Sequence, residues 1–333
     1  MTSSRIVARW GRDWPRSLPR RSPSEQAELL DRARIAIVRL QERARAGGEP
    51  GHALHRRELF ATPDAELRIV DLLPSEVALG PFRPGATWRA AVRFSSAFPG
   101  ARPDGVADQR GVAVRIADGP RRLDLLATTG EAHHARDAPA MIASLEAAAA
   151  ASAGGPLGRV GAAFTLVRRL GVRDGVRMTR TLLRAAESGV SLAATTFYSR
   201  APFQLGDFAV RYRIRGVAPD SALRAAGDRC LTGDLSTRLR EAECSWTLEL
   251  QGFLDPARTP MDDHRIPWDS PWLEVGRLSL RTGSGPRPLA ADGFRATPEW
   301  TDEGGPVLEP LGDLNRLREA AYAASRSGRA RSG

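Results

Sequence analysis

The chain has 333 residues, of which 42% are hydrophobic and 26% charged, so it can bury a large core and is not a disordered protein. Its formal net charge of +10 comes from arginine, because the sequence contains no lysine, and acidic residues accompany arginine along most of the length. This mixed pattern, without zinc-finger spacing or an aromatic RNA-binding motif, disfavours a binding protein for nucleic acids or other polyanions, which stays an alternative.

Cysteine content and hydropathy limit the compartment. The two cysteines, Cys230 and Cys244, have spacing that fits neither a zinc site nor a disulfide-built secreted protein. The N-terminal segment is charged and lacks the apolar stretch of a secretory signal, and no run of about 18 apolar residues predicts a membrane span. We therefore expect a soluble, cytoplasmic protein without a membrane span.

The N-terminal residues 1–48 are predicted to form an arm followed by a helix. The first 20 or so residues resemble an arm without a core of its own. A capping box then begins the helix, since Glu25 follows Ser22 by three positions and Pro23 occupies the first helical position. The remaining residues, 49–333, are predicted to form the main domain.

From Glu66 onward the sequence contains short segments in which apolar and polar residues alternate between Gly, Pro and Asp. These segments are ELRIVDL, WRAAVRFSSA, RGVAVRIAD, RRLDLLATT, DFAVRYRIRGVA, CSWTLELQGFLD and WLEVGRLSLRTG. Their alternation predicts an antiparallel sheet, and their number favours a closed barrel. With the helices this gives an α+β fold.

Helical segments interrupt and follow the predicted strands. Residues about 137–190 are rich in helix formers and are broken at 154–156, which predicts an insertion of two or more helices. After Arg281 comes a long connection rich in proline and glycine, and a connection of this length is usually held against a surface. A C-terminal helix is predicted at about 313–327.

Few residues could carry acid–base chemistry. The histidines are His52, His55, His133, His134 and His264. His55 lies just before the first predicted strand, and Ser95 lies on a strand that could approach it; a seryl hydroxyl on one ring nitrogen would fix the tautomer that acid–base chemistry requires. A Ser-His-acid hydrolase is a competing interpretation, which the absence of a GxSxG motif disfavours.

The C-terminal segment LNRLREAAYAASRSGR places a tyrosine between arginines. Helical geometry puts Arg318, Tyr322 and Arg329 on nearly one side, because steps of four and seven residues are close to whole turns. A solvated arginine-rich face explains this segment when it is taken alone. The other two tyrosines are Tyr198 and Tyr212.

Several motifs together resemble the haem catalases. AAVRFSSAFPGARPDGVADQRGVAVRIADGPRRLDLLATTGEAHHARDA is similar to their core segment, HALHRR to the stretch with the distal histidine, and LREAAY to the R-x-x-x-Y motif of the iron ligand. PLGDLNRLREAAY resembles still more the tail of the short, barrel-only bacterial catalase-like proteins. The resemblance spans residues about 51–329 in consistent order. It implies an eight-stranded antiparallel barrel with a C-terminal haem-ligating helix.

The resemblance implies haem b as the cofactor, with Tyr322 as the iron ligand. Arg318, one turn away, would stabilise the phenolate. Arg93 of VRFSS and Arg329 would pair with the haem propionates through bidentate contacts. Tyr198 is the rival iron ligand, but it has no arginine at a comparable place.

On the distal side, the resemblance assigns the proton-transferring base to His55, held by Ser95, with Leu54 beside it against the cofactor. Five positions depart from the catalase pattern. Thr128 stands where catalases have asparagine, and His52 where they have a propionate-binding arginine. His133 and His134 replace paired aromatics, and Met141 replaces a ring-stacking phenylalanine.

These departures shape the predicted activity. We expect a peroxidase-like haem oxidoreductase that cleaves an organic hydroperoxide or hydrogen peroxide and has weak catalase activity. Its partners would be a peroxide and a small organic substrate, and the oligomeric state stays open. A haem-binding sensor or carrier without turnover is the alternative, since the distal asparagine is missing.

Overall fold

The computed structural model describes most of the chain. The described residues are 2–15, 21–46, 55, 57–97, 103–151, 155–186, 188–289, 293–296, 299–302 and 305–330. His52 and Leu54 therefore lie outside the described residues, and so does the side chain of Arg329.

Eleven strands and six α-helices make up the described part of the chain. The strands are β1 (Arg57–Ile69), β2 (Thr87–Ser96), β3 (Arg110–Asp118), β4 (Arg121–Thr128), β5 (Thr196–Tyr198), β6 (Phe203–Leu205), β7 (Phe208–Gly216), β8 (Cys244–Gly252), β9 (Trp272–Leu280), β10 (Thr301–Asp302) and β11 (Gly305–Pro310). The helices are α1 (Ser3–Val7), α2 (Pro23–Ala46), α3 (Ala138–Ala151), α4 (Gly155–Ala185), α5 (Cys230–Glu241) and α6 (Gly312–Ala330), and a short 3₁₀ helix lies at Ser75–Val77.

Eight of the strands close into a barrel. Their order is β1-β2-β3-β4-β5-β7-β8-β9, with β9 paired to β1 and every pair antiparallel. Strands β6, β11 and β10 extend the sheet from β7. The predicted α+β fold with an eight-stranded antiparallel barrel is therefore confirmed.

The barrel interior is apolar, and alternate residues face the other way. On β2, Val92 and Phe94 belong to the main hydrophobic core, so Arg93 and Ser95 face outward. Ser95 is nevertheless only 4% exposed. The outer face of the barrel must therefore be covered at this place.

The N-terminal arm packs against the barrel. Ile6, Val7 and Trp10 join the barrel core, and the Trp10 ring contacts Phe208 edge-on at 5.4 Å between centroids. Trp14 belongs to a second buried cluster with Phe253 and Trp268, among others. The arm has no separate core because its apolar side chains complete that of the barrel.

Strand β1 begins earlier than the sequence pattern indicates. It starts at Arg57, not at Glu66, and runs through Pro63. The register shifts between Glu58 and Phe60, and again between Thr62 and Ala65. Proline is tolerated at such bulges, so Pro63 can lie inside the strand.

The helices pack beside the barrel. The predicted capping box of α2 is present, since the Ser22 N–H donates to Glu25 Oε2 at 2.9 Å and the Glu25 N–H donates to Ser22 Oγ at 3.3 Å. The predicted insertion comprises α3 and α4, and α4 is kinked at Gly171, whose φ is 78°. None of the helices in the described ranges is long and apolar enough to cross a membrane.

Candidate functional site

One row of residues crosses the outer face of the barrel where four strands lie side by side. The register pairs Ser95 on β2 with Gly111 on β3, Gly111 with Thr128 on β4, and Thr128 with Tyr198 on β5. Direct register partners face the same side of a sheet. The structure therefore brings Ser95 and Thr128 onto one face, with only the glycine between them.

His55 lies over this row, held by two residues of β2. Its Nδ1 is 3.4 Å from Ser95 Oγ, and its carbonyl oxygen accepts an N–H from Arg93 Nη2 at 3.1 Å. Arg93 also donates from Nε to Glu58 Oε2 at 3.1 Å. The φ of His55 is 49°, in the left-handed region that non-glycine residues rarely adopt. The contacts from β2 thus fix both the ring and a strained backbone.

Gly111 lets the imidazole lie against the sheet. A Cβ at this position would stand 2.6 Å from His55 Nδ1 and 3.1 Å from Ser95 Oγ. Any side chain there would displace the ring. The sequence shows Gly111 only as part of a strand, and its role becomes visible once the ring is in place.

The surroundings of His55 keep its ring neutral. His55 is half-buried, and its ring packs against Gly111 and Ser95. Burial, followed by the charges of Arg93, Arg200 and Arg318, lowers the pKa of His55 to about 3. A neutral imidazole whose Nδ1–H donates to Ser95 Oγ keeps the Nε2 lone pair free.

Helix α6 carries Tyr322 onto the same face of the barrel. Tyr322 packs against Ala113 of β3, Leu126 of β4 and Ala296 of the connection that follows β9. Ala113 lies two residues from Gly111, so their positions face the same side, about 7 Å apart along the strand. We call this part of the outer barrel face, from Ser95 and Gly111 to Ala113 and Leu126, the strip. His55 and Tyr322 lie over neighbouring parts of the strip, and they come from opposite ends of the chain.

Arg318 anchors α6 to the segment after β5. Its Nη1 donates to the Ser199 carbonyl at 3.4 Å and to Asn315 Oδ1 at 3.2 Å. Asn315 Nδ2 donates in turn to the Pro202 carbonyl at 2.7 Å. Among the described residues, Arg318 makes no hydrogen bond to the Tyr322 hydroxyl, and its charge instead contributes to the lowered pKa of His55.

The other two tyrosines have different surroundings. The Tyr212 hydroxyl accepts the Leu126 N–H at 2.9 Å and donates to the Leu126 carbonyl at 3.0 Å. Burial raises the pKa of Tyr212 to about 12, so it is a neutral phenol that joins two strands. Tyr198 lies edge-on to Trp272, 6.2 Å between ring centroids. Of the three, only Tyr322 lies on a helix over the strip.

A group of three histidines joins the segment after β4 to the loop before β9. The rings of His133 and His134 stack at 4.4 Å, and the His133 N–H donates to the His264 carbonyl at 2.9 Å. His133 Nδ1 lies 2.9 Å from the Ala135 backbone nitrogen and 3.1 Å from the Ala135 carbonyl oxygen. Burial lowers the pKa of His134 and of His264 to about 3 and moves that of His133 well below its usual value.

Sequence reasoning missed Arg200, which is 5% exposed and has a φ of 63°. Its Nε donates to the Gly130 carbonyl at 2.8 Å and its Nη2 to the Thr129 carbonyl. Burial, with the charge of Arg318, lowers the pKa of Arg200 to about 9. Arg200 thereby holds the two residues that follow Thr128. It lies just after a strand of three residues, where no sequence pattern marks a site.

The remaining predicted site residue that the structure describes, Met141, lies among the helices. It packs against clusters of α2, α3 and α6 and against Met178 of α4. Ser144 Oγ, which is 3.2 Å from His134 Nε2, donates to the Met141 carbonyl at 2.7 Å. Met141 thus reaches the histidine group through one serine.

The connection after β9 covers the strip next to Tyr322. Asp124 of β4 is buried and accepts the Arg295 N–H at 2.7 Å, and it also binds Arg115 at 2.9 Å and Arg122 at 2.6 Å. The Arg115 guanidinium lies 4.6 Å from the centroid of the Phe294 ring, which packs in the same cluster as Tyr322. Among the described residues, no group of three or more His, Cys, Asp or Glu is arranged to hold a metal ion.

Comparison with known proteins finds similarity in structure only. No family model matches the chain, and no curated protein matches it. A fungal catalase is similar with a TM-score of 0.61 and 17% identity over 83% of this chain and 58% of that one. A bacterial catalase gives 0.57 and 16% over 95% and 62%, and catalase A from Saccharomyces cerevisiae gives 0.57 and 16% over 83% and 60%.

The similarity to the catalases covers only part of their length. The chain spans 58% of the length of the fungal catalase, and sequence identity is low throughout. What these structures share with this chain is the arrangement of the barrel and its helices. The chain therefore has the catalase-like α+β fold, an eight-stranded antiparallel barrel with helices.

Proposed function

We propose that this protein is a haem-dependent oxidoreductase that cleaves a peroxide bond, with peroxidase-like activity and weak catalase activity. The observation that carries the proposal is the pair formed by His55 and Tyr322. A neutral, oriented imidazole and a tyrosine from α6 lie over neighbouring parts of one covered strip of the barrel. The catalase-like fold supports a haem oxidoreductase at this coarse level.

The residues of the strip fit a haem group. Ala113, Leu126 and Ala296 give Tyr322 apolar surroundings. Arg200 and Arg318 are bound only by neutral oxygen atoms among the described residues, so their positive charges are not balanced by a carboxylate. Buried charges are costly unless an opposite charge pairs with them. A phenolate ligand would supply negative charge beside Arg318, and two propionates would lower the net positive charge around the strip.

The proposal assigns a residue to each part of the haem group. Tyr322 would ligate the iron, and Arg318 would stabilise the phenolate from one turn earlier on α6. Arg93 and Arg329 would pair with the propionates; Arg93 uses one N–H on the His55 carbonyl and one on Glu58, so further donors remain. His133, Met141 and Leu54 would contact the ring or its substrate side.

The mechanism rests on the residues around His55. Bound haem would supply the iron at which the peroxide is reduced. His55 Nε2 would accept the proton of one peroxide oxygen and return it to the other, which would leave as an alcohol from an organic hydroperoxide or as water from hydrogen peroxide, with the electrons for O–O cleavage supplied by the haem. Ser95 and Arg93 hold the ring and backbone through this transfer, and burial keeps the imidazole neutral beforehand.

Thr128 limits the range of substrates. Its hydroxyl is shorter than an asparagine amide and offers no N–H at the same distance, so hydrogen peroxide is held by one fewer oriented donor. His133, five residues after Thr128, would be the replacement donor if its Nε2 carries the ring proton. We therefore favour an organic hydroperoxide, or a small oxidisable compound, over a second molecule of hydrogen peroxide. A haem-binding sensor or carrier is the second candidate, because Thr128 lacks the amide.

Absorption spectra of protein expressed with haem supply test the proposal. The wild type should show bound haem with phenolate character, Tyr322→Phe should lose that band and most of the haem, and Tyr198→Phe should keep both. Oxidation of a dye by added peroxide then separates an enzyme from a carrier. A colourless wild type, or an unchanged Tyr322→Phe spectrum, would contradict the assignment.

A further inference from the structure

Helix α4 exposes a ridge of large apolar side chains. The ridge consists of Val160, Phe164 and Val167 before the kink at Gly171 and of Val172 and Val176 after it. Phe164 and Val160 are each 66% exposed, and Val172 is 65% exposed. Within each half of the helix, steps of three and four residues put the side chains of that half on one side. The two halves turn toward each other at the kink, since a Cβ at Gly175 would lie 3.7 Å from Leu166. No element in the described part of the chain covers the ridge.

An arginine stripe runs beside the second half of this ridge. Its members, at steps of four, three and four residues, are Arg173, Arg177, Arg180 and Arg184, and all are exposed. Together with Val172 and Val176 they line a cleft of about 840 Å³ whose other wall includes residues 130–132 and Arg265. The cleft thus combines guanidinium groups and apolar side chains on a single helix.

The stripe carries unneutralised charge. Among the residues that the structure describes, Arg173, Arg180 and Arg184 form no ion pair, whereas Arg265 is bound by Asp263 at 2.7 Å and by Asp174 at 3.1 Å. Arg177 acts electrostatically on Asp263. Glu131 is the acidic residue in the cleft wall. The balance of the exposed surface is therefore strongly positive.

The apolar side chains and arginines of α4 together favour an anionic lipid surface as the partner over nucleic acid or a second copy of the chain. Nucleic acid would use the arginines but would leave Phe164 and Val160 without a partner. A symmetric contact with a second copy would bring the two arginine stripes together, and like charges facing each other are costly. An anionic lipid surface uses both features, because phosphates bind guanidinium groups and the headgroup boundary takes apolar side chains.

We propose that α4 docks the protein on an anionic phospholipid surface. The ridge enters the boundary between headgroups and acyl chains, and the stripe pairs with lipid phosphates. This inference goes beyond the proposed function and does not depend on it. Residues 130–132, which lie between Thr128 and His133, would then be close to the membrane surface.

Vesicle sedimentation with the full-length protein tests the electrostatic part. Wild type should bind vesicles of phosphatidylcholine mixed with phosphatidylglycerol, bind pure phosphatidylcholine much less, and dissociate as salt increases. Each arginine near such a surface is worth about fivefold in partitioning. The triple variant R173Q/R180Q/R184Q should therefore bind on the order of a hundredfold more weakly.

A matched triple variant controls for net charge. R89Q/R240Q/R277Q removes the same charge from exposed arginines on β2, α5 and β9, and it should bind within a few-fold of wild type. Equal losses in the two triple variants would overturn the proposal, because binding would then follow total charge. Equal binding of wild type to both kinds of vesicle would also overturn it.

The ridge has a separate test. Phe164→Ser removes an exposed aromatic side chain without changing charge, and burial of such a side chain is worth at least about tenfold in binding. We expect binding to mixed vesicles to fall by that factor while circular dichroism and solution size stay those of wild type. A wild-type dimer in light scattering that Phe164→Ser dissociates, with no vesicle binding, would assign the ridge to a second copy. Tighter binding to DNA than to mixed vesicles would likewise overturn the proposal.

Discussion

The inside of the barrel and the strip of its outer face under α6 are both buried, but they are built from different residues. The inside is packed with apolar side chains such as Phe94 and Trp246. The strip instead carries Ser95, the charged Asp124 and the ring of His55. Burial inside the barrel stabilises the fold, whereas burial of the strip removes water from groups that can exchange protons. In this protein, α6 and residues 293–296 cover the part of the outer face where Ala113 and Leu126 lie.

The largest expected difference between the two regions is their response to acid. His55, His134 and His264 have pKa values lowered to about 3, and that of His133 is also well below 6.5. An unfolded chain binds these protons near pH 6.5 and the folded chain does not, so stability is complete above about pH 6.5 and falls as pH drops toward about 3. In this range each histidine lowers the free energy of unfolding by about 1.4 kcal/mol for each pH unit of acidification. The four histidines together lower it by about 5 kcal/mol per pH unit.

Urea unfolding at several pH values measures that slope. His134→Phe removes one titrating group and should reduce the slope by about one quarter between pH 6 and 4. The interior provides the control, since Val92→Ala should lower stability by a similar amount at every pH in that window. A free energy of unfolding that does not change from pH 6.5 to 4.5 would contradict the burial of these rings.

The next largest effect concerns His55, the base in the proposed function. His55→Ala should slow peroxide cleavage by about 10² to 10⁴, the usual value of general acid–base assistance, while haem stays bound. Stopped-flow mixing of holoprotein with peroxide gives the rate, and the absorption spectrum gives the haem content. His52→Ala is the comparison variant. If it, and not His55→Ala, removes the activity, the distal base lies three residues earlier in the chain.

Thr128 stands on the strip at the position where the catalase resemblance implies an asparagine. Thr128→Asn restores an N–H donor, and one positioned donor is typically worth about 10² to 10³ in rate. Oxygen release from hydrogen peroxide should therefore be slow in wild type and faster in Thr128→Asn, as measured with an oxygen electrode. His133→Phe should lower the wild-type rate if Nε2–H is the replacement donor. Vigorous oxygen release by wild type would contradict a peroxidase-like preference.

Sequence patterns are informative about this protein where contacts are local. Strand β3 has the bounds of RGVAVRIAD because strict alternation on a barrel wall is visible in the sequence alone. Strand β5 is the one barrel strand that the seven predicted segments do not include. It has three residues and pairs with β4 only between Tyr198 and Thr128, so it is too short to show alternation of apolar and polar residues. Gly111 and Arg200 escaped sequence reasoning for another reason. Their roles depend on a ring and on carbonyl groups that other segments bring to them.

The smallest predicted effect compares two neighbours on β3 that face opposite sides. Gly111→Ala puts a methyl group 2.6 Å from His55 Nδ1, so the ring must move, and a displacement of about 1 Å costs about 10²-fold in rate. Val112→Ala instead removes apolar volume from the core and should cost roughly 2 kcal/mol of unfolding free energy with little change in rate per folded molecule.

Dye oxidation by peroxide and urea unfolding, measured on both variants, separate the outer strip from the barrel core. Gly285→Ala is the matched control for the added methyl group, because a Cβ there meets nothing within 4 Å, and it should change neither quantity. The contrast between the two faces predicts that each β3 variant alters one quantity far more than the other. A Gly111→Ala protein with wild-type activity would show that the imidazole does not rest on this strand during turnover, because the added methyl group and the ring cannot occupy the same space.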